Sequence, residues 1–188
     1  MKKQRAFTLI ETLVAISLLV IAVVAPLSLA TQSLESAYYA RDQITAFYLA
    51  QEAIEAVRSV RDGNILTIAE NQGGACSPMT LFCGIIPTGE TTSGPFRIDA
   101  SQISSTITPC SEDPGGVCEP LETDGTLYGY GNGWTPTNFT RTVTASYTDA
   151  SQDEVRVTVT VSWKTGAFNT RSFSISEDMY RWVNDDSG

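Results

Sequence analysis

The amino terminus of this chain places a basic flank directly before a long apolar segment. Lys2, Lys3 and Arg5 precede residues 7–30, in which Glu11 is the sole ionisable side chain. A helix needs roughly 20 mainly apolar residues to cross a bilayer core, so this segment is long enough to span a membrane. Because basic residues on a short flank favour the cytoplasmic side, the sequence predicts a cytoplasmic amino terminus and an exported remainder.

Glu11 is the residue that this segment has to accommodate. An ionised carboxylate in the middle of a membrane helix costs about 2.5–3.5 kcal/mol on insertion scales, so Glu11 should become neutral or find a cation. A single helix offers no cation inside the membrane. If the peptide bond between Ala6 and Phe7 were cut, the new amino group of Phe7 in a neighbouring copy would lie at a similar depth. The free-energy cost of placing the Glu11 carboxylate in the membrane therefore favours assembly of several copies of the chain.

The residues around this point resemble a known leader sequence. Lys-Lys-x-Arg-Ala followed by Phe-Thr-Leu-Ile-Glu-Thr-Leu-Val-Ala is similar to the prepilin leader of type IV pilins and type II secretion pseudopilins. The resemblance implies cleavage by a prepilin peptidase between Ala6 and Phe7, N-methylation of Phe7, and a role for Glu11 in filament assembly. Most members of the family have Gly where this chain has Ala6.

An ordinary secretory signal is the competing interpretation. The basic flank, the apolar core and a small-x-small site at Ser28-Leu29-Ala30 would allow a cut after Ala30 that releases a soluble domain. The apolar stretch, however, exceeds the usual 7–15 residues of a signal core, and Glu11 would serve no purpose there. The pilin-like interpretation is therefore preferred.

Beyond the membrane segment the helical pattern continues. Apolar residues recur at helical spacing as far as Val57, and Asp62-Gly63-Asn64 predicts the end of the helix, since Gly and Asn tolerate the left-handed conformation. Pro26 should kink or locally melt the helix. The stretch from Leu49 to Arg58 also resembles the corresponding helix of V-type minor pilins and I-type minor pseudopilins.

The last third of the chain changes to an alternating pattern. Apolar residues alternate with Thr or Ser from Phe139 to Tyr147 and again from Val155 to Trp163, and Phe173 and Ile175 continue the pattern. This predicts three strands in an antiparallel meander whose apolar face covers the amphipathic half of the helix. Arg141 falls on the apolar face, and we expect it to reach solvent at a sheet margin, with no functional role.

The region between helix and sheet is rich in Gly, Pro, Ser and Thr and predicts a loop-dominated, variable surface. It contains all four cysteines. An exported domain meets oxidising conditions, so disulfides are expected, and three pairings are possible. We favour Cys76 with Cys83 and Cys110 with Cys118, because each pair closes a short loop. A four-cysteine zinc site is the weaker alternative, since these spacings differ from the short C-x2-4-C pattern of structural zinc.

Composition argues against catalysis and against nucleic-acid binding. The chain contains no His, which removes the commonest general base and metal ligand, and it has no nucleophile elbow, P-loop or zinc-protease motif. The formal charge is −9, and loss of the leader would take it to −12, which opposes binding to a phosphate backbone. Acidic loops offer oxygen atoms for calcium but lack the EF-hand order. No cofactor and no metal are predicted.

Together these features predict an α+β subunit with a long pilin-type amino-terminal helix packed against a carboxy-terminal antiparallel sheet. The predicted segments are the leader 1–6, the membrane and filament-core helix 7–30, its exported half 31–63, the loop-rich region 64–138, and the sheet with the terminal segment 139–188. The expected partners are other pilin subunits, the prepilin peptidase, the inner-membrane assembly platform and, before assembly, the membrane. The expected function is that of a non-enzymatic, minor subunit of a type IV pilus, with an adhesion or tip role preferred. A type II secretion pseudopilin and a secreted or anchored binding module stay open as alternatives.

Overall fold

The computed structural model describes residues 8–70, 81–87, 89–102, 106–165 and 169–181. The chain divides into two compact units, Met1–Asp42 and Gln43–Gly188. Helix α1, Leu9–Ala69, supplies the first unit and continues into the second. In the second unit it joins two antiparallel sheets, so the predicted α+β class is confirmed.

Helix α1 ends later than the sequence pattern predicts. It continues through Asp62-Gly63-Asn64 to Ala69, so the predicted stop at residue 62 is wrong. The reason lies in the side chain of Asn64, which is buried and donates hydrogen bonds to the carbonyl oxygens of Leu81 and Cys83, both at 2.9 Å. This tertiary contact outweighs the tendency of Asn to end a helix. The helix also runs through Pro26 without interruption.

The main sheet has five strands. They are β1 (Thr92–Asp99), β2 (Thr106–Pro109), β6 (Phe139–Tyr147), β7 (Glu154–Thr165) and β8 (Asn169–Tyr180), arranged in the order β2-β1-β6-β7-β8 with every neighbouring pair antiparallel. The predicted meander of three strands is confirmed as β6, β7 and β8. A smaller sheet contains β3 (Glu122–Thr123), β4 (Tyr128–Gly129) and β5 (Thr135–Pro136) in the order β4-β3-β5.

Strands β1 and β2 lie in the region that the sequence predicts to be loop-dominated, and they extend the main sheet. The alternation of apolar and polar residues is obscured in these strands because Gly94-Pro95 interrupts β1. At this point the register of β1 to β6 shifts, between Ser93 and Phe96. Gly94 has a φ of +110°, and a Cβ there would lie 2.6 Å from the Val143 carbonyl oxygen. Only glycine fits this close approach of β1 to β6.

The core forms where one face of α1 meets the inner face of the main sheet. Ala46, Ala50, Ala53 and Val57 recur every three or four residues along the helix and are fully buried. They share one apolar cluster with the inward-facing valines of the two central strands, Val143, Val155, Val157, Val159 and Val161. Small alanines on the helix let it approach the β-branched sheet surface closely.

Arg141 contradicts the expectation that it reaches solvent at a sheet margin. Strand β6 is the middle strand of the five, and the Arg141 side chain is 0% exposed. Snorkelling is impossible there because the helix covers this face of the sheet. The guanidinium instead finds acceptors inside the protein.

Candidate functional site

The amino-terminal part of α1 presents its apolar side chains outward. From Leu9 to Leu29 the large apolar side chains are 48–82% exposed. Helix α1 is long and apolar enough to cross a membrane, judged by length and composition. Exposed apolar surface on this scale marks a site of membrane or protein interaction, and it fits a bilayer or other apolar helices around this part of the helix.

Hydroxyl groups in this segment are satisfied within the helix itself. Thr12 Oγ1 donates to the Leu9 carbonyl and Ser17 Oγ donates to the Val14 carbonyl, each at 2.8 Å. Thr31 Oγ1 does the same to the Ser28 carbonyl. Such back-bonding hides polar groups from an apolar surrounding, where an unsatisfied group is costly.

Glu11 lies in the first turn of α1 and is exposed. The Glu11 backbone N–H donates to Thr8 Oγ1 at 3.3 Å, so Thr8 caps the helix three residues before the acid. A carboxylate in the first turn is favoured by the helix dipole. The described part of the chain offers Glu11 no cation. The predicted cleavage residues Ala6 and Phe7 lie outside the described residues, so their roles stay predictions.

The loop region contains a disulfide between Cys110 and Cys118, whose Cα atoms are 4.5 Å apart. The closed loop holds Asp113, whose carboxylate is almost fully buried. Arg97 Nε donates to Asp113 Oδ1 at 2.9 Å, and the backbone N–H of Glu119 donates to Oδ2 at 3.2 Å. The disulfide thus fixes an ion pair between the loop and β1. Cys83 is buried, and its predicted partner Cys76 lies outside the described residues, so that pairing stays a prediction.

Arg97 also contacts Tyr130, its guanidinium carbon lying 4.5 Å from the centre of the ring. The Tyr130 hydroxyl is buried and has no hydrogen-bond partner among the described residues. Burial raises the pKa of Tyr130 to about 12, and the positive charges of Arg141 and Arg97 oppose this shift only in part. This group is therefore neutral at all physiological pH values.

Arg141 connects three elements in the same unit. Its Nη1 donates to the Leu49 carbonyl of α1 and to Glu52 Oε2, both at 3.0 Å, and its Nη2 donates to the Ile98 carbonyl of β1 at 2.7 Å. The sequence pattern indicates the face on which Arg141 lies but not its partners. The sequence contains one signal for this buried cluster: Arg141 is a charged residue at a strand position where the alternating pattern calls for an apolar one.

The described residues contain no group of three or more His, Cys, Asp or Glu side chains that could hold a metal ion. The acidic loop residue Asp124 illustrates why. Its Oδ1 accepts the backbone N–H groups of Thr126 and Leu127, both at 2.8 Å, which lowers the pKa of the Asp124 carboxyl. Its oxygen atoms thus organise a turn.

Comparison with known protein families adds a match at the amino terminus. Residues 1–25 match the family model described as the prokaryotic N-terminal methylation motif. No curated protein matches the chain, and no solved structure matches it. The motif supports a type IV pilin-like or pseudopilin-like precursor, a class of structural rather than enzymatic proteins. It implies processing by prepilin peptidase and assembly with other pilin subunits, and with the apolar helix it indicates a membrane-anchored precursor.

Proposed function

We propose that this chain is a minor structural subunit of a type IV pilus. Prepilin peptidase cuts between Ala6 and Phe7, Phe7 is N-methylated, and the apolar part of α1 passes from the inner membrane into the filament. The match of residues 1–25 to the methylation motif carries the proposal. The outward-facing apolar side chains of α1 support it, because filament assembly would bury them.

Glu11 has a defined task in this mechanism. Its carboxylate costs free energy in the bilayer, and the amino terminus of an adjacent subunit neutralises it in the filament. The inner-membrane assembly platform would perform the transfer between these two environments. In this proposal the second unit, Gln43–Gly188, is the exported unit, and adhesion or a position at the tip is the role that we prefer for it.

Replacement of Glu11 tests assembly separately from insertion. We expect Glu11→Ala to reach the membrane fraction at the normal level and to be lost from the sheared filament fraction, as measured by quantitative immunoblotting. Glu35→Ala is the matched control, since it removes the next carboxylate along the same exposed helix and should leave incorporation unchanged. Normal incorporation of Glu11→Ala would overturn the proposed mechanism.

Mass spectrometry of the mature amino terminus distinguishes the candidate functions. A methylated Phe7 supports a pilin or pseudopilin. A chain that begins at Thr31 would identify a conventionally secreted binding module, and one that keeps Met1 would identify an uncut anchor. The pseudopilin alternative shares the Phe7 terminus, so it is separated by whether the subunit is recovered from surface pili or fails to leave the periplasm.

A further inference from the structure

A small polar pocket lies on the outer face of the main sheet, where β6 begins and β7 ends. Its volume is about 230 Å³, and its polar lining consists of Thr137, Asn138, Thr140, Ser162, Lys164 and Thr170. The strand register explains why these side chains meet, because Thr140 lies opposite Ser162 and Lys164 lies opposite Thr170. Residues directly opposite each other on one sheet face have neighbouring side chains.

Three of the four hydroxyl groups that line this pocket have no hydrogen-bond partner among the described residues, whereas Thr137 Oγ1 donates to the Leu121 carbonyl at 2.7 Å. In the middle of the same face, Thr158 bonds Ser176 at 2.9 Å and Thr160 bonds Ser174 at 2.8 Å, so those hydroxyls satisfy one another. At the pocket end, the hydroxyls of Thr140, Ser162 and Thr170 make no hydrogen bond to any residue that the structure describes. They are available to donate to or accept from a ligand.

Lys164 differs from most other cations of the exported unit. Its side chain forms no ion pair within the described ranges, and it is the only lysine after the leader. Six arginines of the same unit, by contrast, are paired with carboxylates: Arg58, Arg61, Arg97, Arg141, Arg156 and Arg181. No Asp or Glu lines the pocket. Lys164 therefore lines a pocket whose other polar residues include three open hydroxyls and no carboxylate.

These features define the chemistry of a ligand. An ammonium with three donors favours an anionic group, and a carboxylate or phosphate would gain a charge-assisted hydrogen bond. The open hydroxyls of Thr140, Ser162 and Thr170 favour a ligand that carries several hydroxyls of its own. The volume is below the roughly 300–1,000 Å³ of sites for drug-sized molecules, so it suits a single ring.

We propose that this pocket binds one residue of an acidic sugar, with its carboxylate at Lys164 and its ring hydroxyls at Thr140, Ser162 and Thr170. The proposal does not depend on filament assembly, because all of the polar lining belongs to the exported unit. A pocket of this kind would let the exported unit recognise an anionic polysaccharide.

Saturation-transfer NMR on the full chain, held in a zwitterionic detergent without a sugar headgroup, tests the proposal. The probes are galacturonate, glucose as a neutral ring and acetate as an anion without ring hydroxyls. We expect galacturonate to bind, and glucose and acetate to bind about tenfold more weakly or undetectably. Glucose lacks the carboxylate that would contact Lys164, and acetate lacks the ring hydroxyls. Equal binding of acetate or of glucose would overturn the proposal, as would the absence of any galacturonate signal.

Matched variants locate the binding. Lys164→Gln should weaken galacturonate binding by about tenfold, and Lys164→Arg should retain it. Arg156→Gln removes the same charge from the same face of β7, outside the pocket, and should leave the affinity unchanged. Unchanged binding by Lys164→Gln would contradict the assignment, and equal losses in Lys164→Gln and Arg156→Gln would indicate a general charge effect and would also contradict it.

Discussion

Arg141 shows how the middle strand of a sheet can hold a charge away from water. The two Nη atoms of the guanidinium donate to two backbone carbonyls and the Glu52 carboxylate, which offsets part of the cost of burying the charge, while Nε has no partner among the described residues. Two of the acceptors lie on α1 and one on β1. The residue thus fixes residues 49–52 of the helix over the sheet.

Arg141→Ala should destabilise the exported unit strongly. The substitution leaves a cavity in the core and removes the hydrogen bond to the Ile98 carbonyl, so we expect a loss of about 3 kcal/mol in the free energy of unfolding. Urea unfolding of the full chain followed by tryptophan fluorescence measures it. Arg156→Ala, which breaks an exposed ion pair with Asp178, should change the transition little. Similar behaviour of the two variants would contradict the role given to Arg141.

Tyr130 makes stability sensitive to alkaline pH. Its pKa of about 12 in the folded state exceeds the ordinary value of 10.0, so between these values the folded chain holds a proton that the unfolded chain has lost. Stability from this group is complete below pH 10 and decreases as the pH rises towards 12. Tyr130→Phe should remove this decrease, and it should not reduce stability at pH 7, because the hydroxyl lacks a protein partner. An unaltered alkaline transition in Tyr130→Phe would show that other groups control it.

At the scale of elements, the disulfide-closed loop compensates for a region with little regular structure. The loop is anchored to β1 through Asp113 and Arg97, and the small β3-β4-β5 sheet follows directly in the chain. The elements between residues 110 and 136 are only two or three residues long, so covalent closure contributes to the order of this segment.

The double variant Cys110→Ser/Cys118→Ser tests this anchoring. The eight-residue separation predicts a loss of about 2–3 kcal/mol, mainly from greater freedom of the unfolded chain. Urea unfolding gives the magnitude, and amide hydrogen exchange should show faster exchange at Glu119, whose N–H bonds Asp113. Unchanged exchange at Glu119 would mean that the ion pair holds the loop without the disulfide.

The first half of the helix is predictable from its unbroken apolar run, its second half from helical spacing of apolar residues, and strands β6, β7 and β8 from their alternating pattern. The end of α1 is not, because Asn64 is held by contacts with Leu81 and Cys83 that no local pattern contains. Strands β1 and β2 escape prediction because Gly94-Pro95 and short length break their period. Of the site, the apolar segment and Glu11 are readable from the chain, but the partners of Arg141 depend on distant elements.

For the whole molecule, composition is compatible with the exported location that we propose. The exported unit has no His, so no side chain with an unperturbed pKa titrates between pH 6 and 8, and its stability should vary little across that range. Its acidity and its disulfide suit an oxidising exterior. Lys2, Lys3 and Arg5 make the amino-terminal flank positive, whereas the rest of the chain is negative overall. The charge of the chain is therefore asymmetric about the apolar segment.

That asymmetry predicts the orientation of the precursor. We expect a membrane-impermeant maleimide to label Ser172→Cys, an exposed position on β8, in intact spheroplasts, and to label Gln4→Cys only after lysis in cells that lack the peptidase. Reversing the flank with Lys2→Glu, Lys3→Glu and Arg5→Glu should sharply reduce labelling at residue 172, because the positive charges hold the amino terminus inside. Protection of Ser172→Cys in the unreversed chain would place the sheet in the cytoplasm. Neither the disulfide nor filament assembly would be expected there, so this result would also contradict the proposed function.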